Sequence, residues 1–381
     1  MKRKLLLGLA GTMVAILMSA IFQPYWLALE GIFIDWRFKL KEPSKFSEKI
    51  KVFEIDRSLF LSYESIVNEL IKQDAKTISI YIPENKFKES FDWLKKIPMS
   101  KLIVSVGGQT IERLDESMHD SESLGKANGI VEVSSLVNFL SLGKKYIPAN
   151  VPTFEKEIFS HANAYMDIFG KLRKIPLWLE SEQKLIPAFA MRSWFHYLKV
   201  NNPEIKLLSS RMKLKDKSME RSIPTDMNSM AMVEMPKALE ETIIQLKEKS
   251  ESVVEAISNA NVKDRLVFVG FFSSDRELED KNLFRFQLAL ANSFLKESFL
   301  KEAHKSTVHS LSLVLSVLTV ILFGWGKGVK RYLGLVFLTL FYLIINIIFF
   351  NSSLILPILS PILAMTFSVL ASRSLKLEET I

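Results

Sequence analysis

Cysteine is absent from all 381 residues, so neither a disulfide nor a thiolate metal site can be built. That absence permits an oxidising compartment without requiring one. Histidine is scarce, with five residues. No G-x-S-x-G, H-E-x-x-H or G-x-x-x-x-G-K-[ST] pattern occurs, which leaves nucleophile, zinc and phosphate-loop chemistry without an anchor. The segment 324–331, GWGKGVKR, looks superficially like a phosphate loop. It lies between two apolar runs with no strand before it, and reads as a short basic turn. Asp115, Glu116, His119, Asp120 and Glu122 could gather a metal, but their spacing matches no ligand set and they read as a solvated loop. The expectation is a protein that is not an enzyme and takes no cofactor or metal.

A basic stripe with interleaved aromatics is missing as well, despite a net charge of +8. Lys2, Arg3 and Lys4, together with Lys327, Lys330 and Arg331, supply most of that excess, and all of them flank apolar runs. Little is left for a nucleic-acid face, and no such partner is expected.

What the chain does have is four uncharged runs, residues 5–22, 307–323, 332–350 and 352–371. Each is near the length that spans a hydrocarbon core. The first reads as a retained anchor, because its apolar stretch is longer than a signal-peptide core and no A-x-A-like site follows. Lysine and arginine beside the runs place residues 1–4, 327–331 and 373–376 in the cytoplasm and the 351–353 turn outside. Four spans satisfy every loop. They divide the chain into an anchor (1–23), an extracytoplasmic domain (24–305), three transmembrane helices (306–371) and a short cytoplasmic tail (372–381), in a bacterial inner membrane. No span holds an acidic residue, lysine or arginine, which argues against a transporter. Gly11, Ala15 and Ser19 share one face of the first span, and His309, Ser312, Ser316 and Thr319 one face of the second, so these faces are expected to pack on helices rather than lipid. His309 and Asn346 fall at matching depth and are expected to pair.

Between the runs, strand and helix patterns alternate. Residues 50–55, 77–82 and 101–108 read as strands separated by helices at 63–71 and 87–96, and 265–270 reads as a compact buried strand. Apolar strands spaced by helices indicate an α/β domain with a mainly parallel sheet. Further strands are read at 130–134, 161–166 and 174–179, and helices at 187–200 and 286–300. Residues 212–230 have no steady period and look like an insertion. Residues 236–259 read as one long helix with Leu239, Ile243, Leu246, Ser250, Val253 and Ile257 at heptad spacing, a seam for its own domain or for a partner.

Residues 24–56 connect the first span to the first strand. Leu29, Phe33, Trp36 and Leu40 recur at helical steps, Pro43 ends the helix, and a strand closes on Asp56. Asp35, Arg37 and Phe38, then Pro43, then Ile55 and Asp56, resemble the opening of the second type of CHASE domain, a sensory extracellular family associated with cyclases and histidine kinases. His161 and Asn163, followed by Asp167, Gly170, Arg173, Pro176 and Leu177, continue the resemblance, with Phe169 where the family has a second aspartate. Residues 186–191 and the 265–270 strand ending on Gly270 also look like family segments. The stretch after Gly270 departs from the family, Leu290 standing where a histidine is usual. The resemblance covers about residues 28–300 and implies an extracytoplasmic sensory domain that feeds a cytoplasmic output through the spans that follow.

In open parallel sheets ligands bind beyond the strand carboxyl ends. Asp56 with Ser273 and Ser274 is therefore the candidate binding site, the competing role for Asp56 being a helix cap or a partner for a buried arginine. His161 and Asn163 are ligand candidates or structural hydrogen-bonding residues. His196, with Arg192 and Lys199, reads as a half-exposed polar stripe. About ten residues follow Ala371, so the expected function is a membrane sensory or signal-transducing subunit whose output comes from another protein. The ligand is unknown and self-association is open. The alternative is a structural scaffold of a bacterial envelope complex.

Overall fold

The segment TISIYI is buried at every position, as a strand covered on both faces must be. It is one of six strands in the central sheet. These are Ile50–Ile55 (β1), Thr77–Ile82 (β2), Leu102–Val106 (β3), Phe159–Ser160 (β4), Ile243–Leu246 (β5) and Leu266–Phe271 (β6). The order is β5-β1-β6-β2-β3-β4 and every neighbouring pair is parallel. The computed structural model describes the chain except residues 1, 42–44, 56–62, 83–98, 107–109, 112–130, 133–158, 163, 168, 182–183, 201–202, 209–210, 218, 226–229, 237, 247–249, 273–276, 326–328 and 379–381.

Alternation along the strands divides the core in two. Phe53, Ile55, Ile78, Ile80, Ile82, Val104, Val267 and Val269 point to one face, where Ile66, Val67 and Leu70 of a helix Tyr63–Lys72 and Ile257 of another, Ser250–Asn259, cover them. Ile50, Val52, Tyr81, Ile103 and Phe268 point to the other face, under the helices Phe189–Leu198 and Glu277–Lys296. Helices on both faces of a parallel sheet are the doubly wound solution to burying both sides. The α/β expectation with a mainly parallel sheet holds.

The chain forms two compact units. One is Pro43–Met166 with Lys171–Phe299, and contains the sheet; the other is Met1–Glu42, Asp167–Gly170 and Leu300–Ile381. Numbered in chain order, the four described helices of ten residues or more in the sheet unit are Tyr63–Lys72 (α3), Phe189–Leu198 (α4), Ser250–Asn259 (α5) and Glu277–Lys296 (α6). The helical unit holds Lys2–Ile21 (α1), Gln23–Leu40 (α2), Lys305–Trp325 (α7), Val329–Asn351 (α8) and Leu359–Glu378 (α9). Among the described residues, two helices are long and apolar enough to cross a membrane, over Ser306–Phe323 and Tyr332–Asn351. α1 and α2 pass that test only when taken together as a bent pair, and α9 offers the shorter apolar stretch Leu359–Arg373.

Three readings of the sequence need correction. Residues 236–259 are not one helix. A single turn at Leu239–Thr242 leads into β5, and only Ser250–Asn259 is helical again. Ile243 and Ile244 are β-branched and favour a strand, and β1 needs a partner for its free edge. Residues 212–230 are not an irregular insertion. Arg211–Asp216 and Met219–Pro224 pair antiparallel beside Glu204–Leu208, and Met212, Leu214 and Ile223 enter the core. The last apolar run is not a continuous helix from residue 352. Leu354–Ile355 pairs as a short parallel strand with Lys301–Glu302, and α9 starts only at Leu359. Pro357 disfavours helix at the residue before it, whereas Pro361 is tolerated in a first turn.

Candidate functional site

The carboxyl ends of the parallel strands come first. β6 runs into Phe271 between β1 and β2, and its Gly270 is packed so closely that a Cβ would lie 2.6 Å from the Phe272 ring and 2.9 Å from Phe284. At the end of β2, the buried Tyr81 hydroxyl donates to Asp280 Oδ1 at 2.7 Å, and Asp280 is itself buried. The Tyr81 ring lies 5.7 Å from Phe284 and 6.1 Å from Phe272, with Lys281 Nζ 5.6 Å from the Phe272 ring. This end of the sheet therefore carries an acid–phenol pair in an aromatic surround. Asp56, Ser273, Ser274 and Asn163 lie outside the described residues, as do Asp115 to Glu122 and the helix read at 87–96. Tyr81 and Asp280 escaped the sequence reading because their meeting spans 199 residues.

His161 directly follows β4 and forms a parallel bridge to Ala188, the residue before the Phe189–Leu198 helix (α4). Its N–H donates to the Pro187 carbonyl at 3.2 Å, and its own carbonyl accepts from the Phe189 N–H at 2.7 Å. Its ring is buried, and that desolvation pushes it down to about 3, so it is neutral at ordinary pH. Gln287 Oε1 accepts from the Ala190 N–H at 3.1 Å, satisfying a donor that α4 cannot satisfy itself. His196 is half-buried, with Nδ1 3.0 Å from Thr77 Oγ1, and burial followed by the charge of Arg192 lowers its pKa against a Ser100 backbone hydrogen bond. Lys199 ends α4 in the left-handed region, φ 59°.

Asp167 and Gly170 form a turn. The Asp167 carboxylate accepts the Phe169 N–H at 2.9 Å, its carbonyl accepts the Gly170 N–H at 2.9 Å, and Gly170 has φ +74°. A glycine suits that conformation without steric cost, which accounts for both residues of the motif. Arg173 and Pro176 lie on the strand Leu172–Pro176, Pro176 opposite Met230.

Arg37 is in the helical unit and only 1 % exposed. Its Nη1 donates to Asn346 Oδ1 at 2.6 Å and to the Leu356 carbonyl at 2.9 Å, and its Nε to the Phe33 carbonyl at 3.2 Å. The guanidinium lies 5.1 Å from the Phe350 ring, against which Phe38 packs edge-on at 5.0 Å. One helical face away from solvent, Glu30 accepts the Ile358 N–H at 2.9 and 3.0 Å and the Leu359 N–H at 2.6 Å. It thus caps α9 from another helix and places a carboxylate at its positive end. The Tyr342 hydroxyl donates to the Pro357 carbonyl. Four backbone groups of the 352–358 connector and the first turn of α9 are therefore held by the side chains of Glu30, Arg37 and Tyr342. The expected pairing of His309 with Asn346 is replaced by that of Arg37 with Asn346. Glu30 was legible only as a lone acid in an apolar helix, and its partner was not legible at all. Asp35 is half-buried on the same helix.

A parallel α/β unit and a unit of apolar helices, two of them long and apolar enough to cross a membrane, share one chain. Residues 11–322 match the CHASE2 domain, most of the chain's length, and the chain belongs to that family. CHASE2 domains are extracellular sensory domains. The matched range contains every motif residue from Asp35 to Gly270, and extends into α1 and α7. Comparison with curated proteins and with solved structures yields no match.

Proposed function

We propose that this chain is the sensory, signal-transducing subunit of a membrane assembly, non-catalytic itself, whose output is supplied by a partner protein. Its α/β domain lies on the extracytoplasmic side of a bacterial inner membrane, and α1, α7, α8 and α9 cross that membrane with the basic flanks of the sequence in the cytoplasm. The observation that carries this reading is the grip of Glu30 and Arg37 on the connector between α8 and α9. α2 leads in sequence directly to the first strand of the domain, so a change of state there has a polar linkage through which to bias the outer ends of the spans. A domain that is merely tethered needs no such linkage. The ligand crevice belongs at the carboxyl ends of the strands, beside Tyr81 and Asp280, where Asp56, Ser273 and Ser274 follow in sequence.

Affinity purification from native membranes, followed by mass spectrometry, tests this. A co-purifying cyclase, kinase or phosphatase is the expected outcome. Stoichiometric recovery of structural envelope proteins without any signalling enzyme would replace this reading with that of a scaffold. The heptad seam that favoured a scaffold is absent from residues 236–259, where β5 interrupts the helix.

A further inference from the structure

The buried face of α2 is formed by Ala28, Glu30, Gly31, Ile34 and Arg37. The opposite side exposes Tyr25 (62 %), Leu29 (41 %), Ile32 (47 %) and Trp36 (41 %), at steps of four, three and four residues. This is one continuous apolar stripe on a helix whose other side is largely buried, Leu27 (41 %) being exposed there.

Helix registers give the depth at which that stripe lies. Gly11 of α1 packs on Ala364 and Ser368 of α9, and Ser368 Oγ reaches the Leu7 carbonyl at 3.4 Å. In that antiparallel register the first turn of α9 is level with about Met18, a few residues inside the outer end of α1. Glu30 binds that first turn although it is twelve residues beyond Met18; a straight continuation of α1 would carry it about 18 Å past this level. Arg37 binds Asn346, which lies about 7 Å inside the end of α8. Two anchors seven residues apart on α2 thus sit at similar depth, just inside the outer ends of the bundle. α2 runs across the bundle's flank instead of rising away from it.

We infer that α2 is an in-plane interfacial helix, with its Tyr25–Leu29–Ile32–Trp36 stripe resting in the acyl–headgroup boundary of the outer leaflet. Its chemistry fits that occupant. Tyrosine and tryptophan favour the interface because each joins an apolar ring to a polar group, and the aliphatic residues between them fit the acyl boundary. Lys39 stands exposed at the end of the helix, where its ammonium group can meet lipid phosphates. Across the bend, α1 exposes an apolar face of its own, carrying Leu6, Leu9, Met13, Leu17 and Ile21. Lipid contact at the outer leaflet would make the latch sensitive to bilayer state as well as to the domain.

The inference rests on the reading that α7 and α8 cross a membrane, and the cysteine-free chain allows the two to be separated. Single cysteines at Leu29, Ile32, Phe341 and Val254 are spin-labelled in full-length protein reconstituted into phosphatidylethanolamine–phosphatidylglycerol vesicles. Phe341 is 50 % exposed on α8 and Val254 is 45 % exposed on the sheet unit. At Leu29 and Ile32, collision with oxygen should exceed collision with a water-soluble nickel chelate several-fold, as at Phe341, with the reverse at Val254. Nickel access at Leu29 and Ile32 with a lipid-like Phe341 would overturn the interfacial helix alone. Shielding from both reagents with dipolar coupling between labels would mean that a second copy covers the stripe, and would overturn it too. Water access at Phe341 would overturn the membrane reading and the inference with it.

Discussion

Glu54 is 1 % exposed in the middle strand region of the sheet, and its charge is tolerable there because Arg285 Nε and Nη2 reach it at 3.0 and 3.2 Å and Gln245 Nε2 at 2.6 Å. Desolvation works against the guanidinium, but the hydrogen bond and charge of Glu54 outweigh it and hold Arg285 above its ordinary value. Arg285→Leu leaves the carboxylate buried with too little compensation, and should cost about 3–5 kcal/mol, read as a fall in the unfolding midpoint. A loss within the range of an exposed ion pair would show that Gln245 suffices. His161 makes a second test. Because burial holds it down to about 3, the unfolded chain binds the proton first as pH falls below about 6.5. Its neutral state costs nothing above that pH, and the penalty grows by about 1.4 kcal/mol per unit as pH falls towards the folded value. Between pH 6.5 and 5, the wild type should lose about 1.5–2 kcal/mol more than His161→Gln in urea unfolding. Parallel losses would mean that His161 is solvated.

Helix faces made of small residues decide the packing within the helical unit. Ala15, Ser312, Ser316 and Thr319 are buried, and Thr12 Oγ1 lies 3.4 Å from Ser316 Oγ. The small-residue stripes read from the sequence do meet other helices. Gly11 is the tightest point: a Cβ there would sit 2.0 Å from Ser368 Oγ and 2.7 Å from the Ala364 carbonyl. Gly11→Leu should therefore push α1 off α9, and crosslinking of a Leu7→Cys/Ser368→Cys pair should drop several-fold. Leu9→Ala, on the exposed face of α1, should leave the same crosslink unchanged. Equal yields in both variants would refute the contact. β5 shows where pattern reading fails at this scale. Ile243 and Leu246 are one helical step apart, yet on the strand they fall on opposite faces, Ile243 against one core and Leu246 in the other, and the unpaired edge of β1 decides for the strand.

Across the whole chain, the proposed orientation rests on loop charge. A phosphatase reporter fused after Ser210 or Ser353 should be active, and one after Lys330 or Ile381 inactive. Activity after Lys330 would refute the four-span arrangement. The interruption at 352–358 bears on the proposed four-span arrangement. Leu354–Ile355 pairs with Lys301–Glu302, and Glu30, Arg37 and Tyr342 bond four further backbone groups from Leu356 to Leu359. Non-helical backbone at that depth is tolerable only when protein groups satisfy it.

The sequence by itself determined the strands β1, β2, β3 and β6, the parallel sheet, the apolar helices and the family, because burial on both faces and membrane length write themselves into runs of apolar residues. Asp167 and Gly170 entered the sequence reading only through the family resemblance, and the turn they form, with Gly170 at φ +74°, came from the structure. Only the tertiary structure decided that Arg37 meets Asn346, that Glu30 caps α9, that Tyr81 meets Asp280, and that residues 243–246 become a strand. In each case a polar group or open edge must find a partner once water is removed. Which partner it finds depends on positions far apart in sequence, and no local period records them.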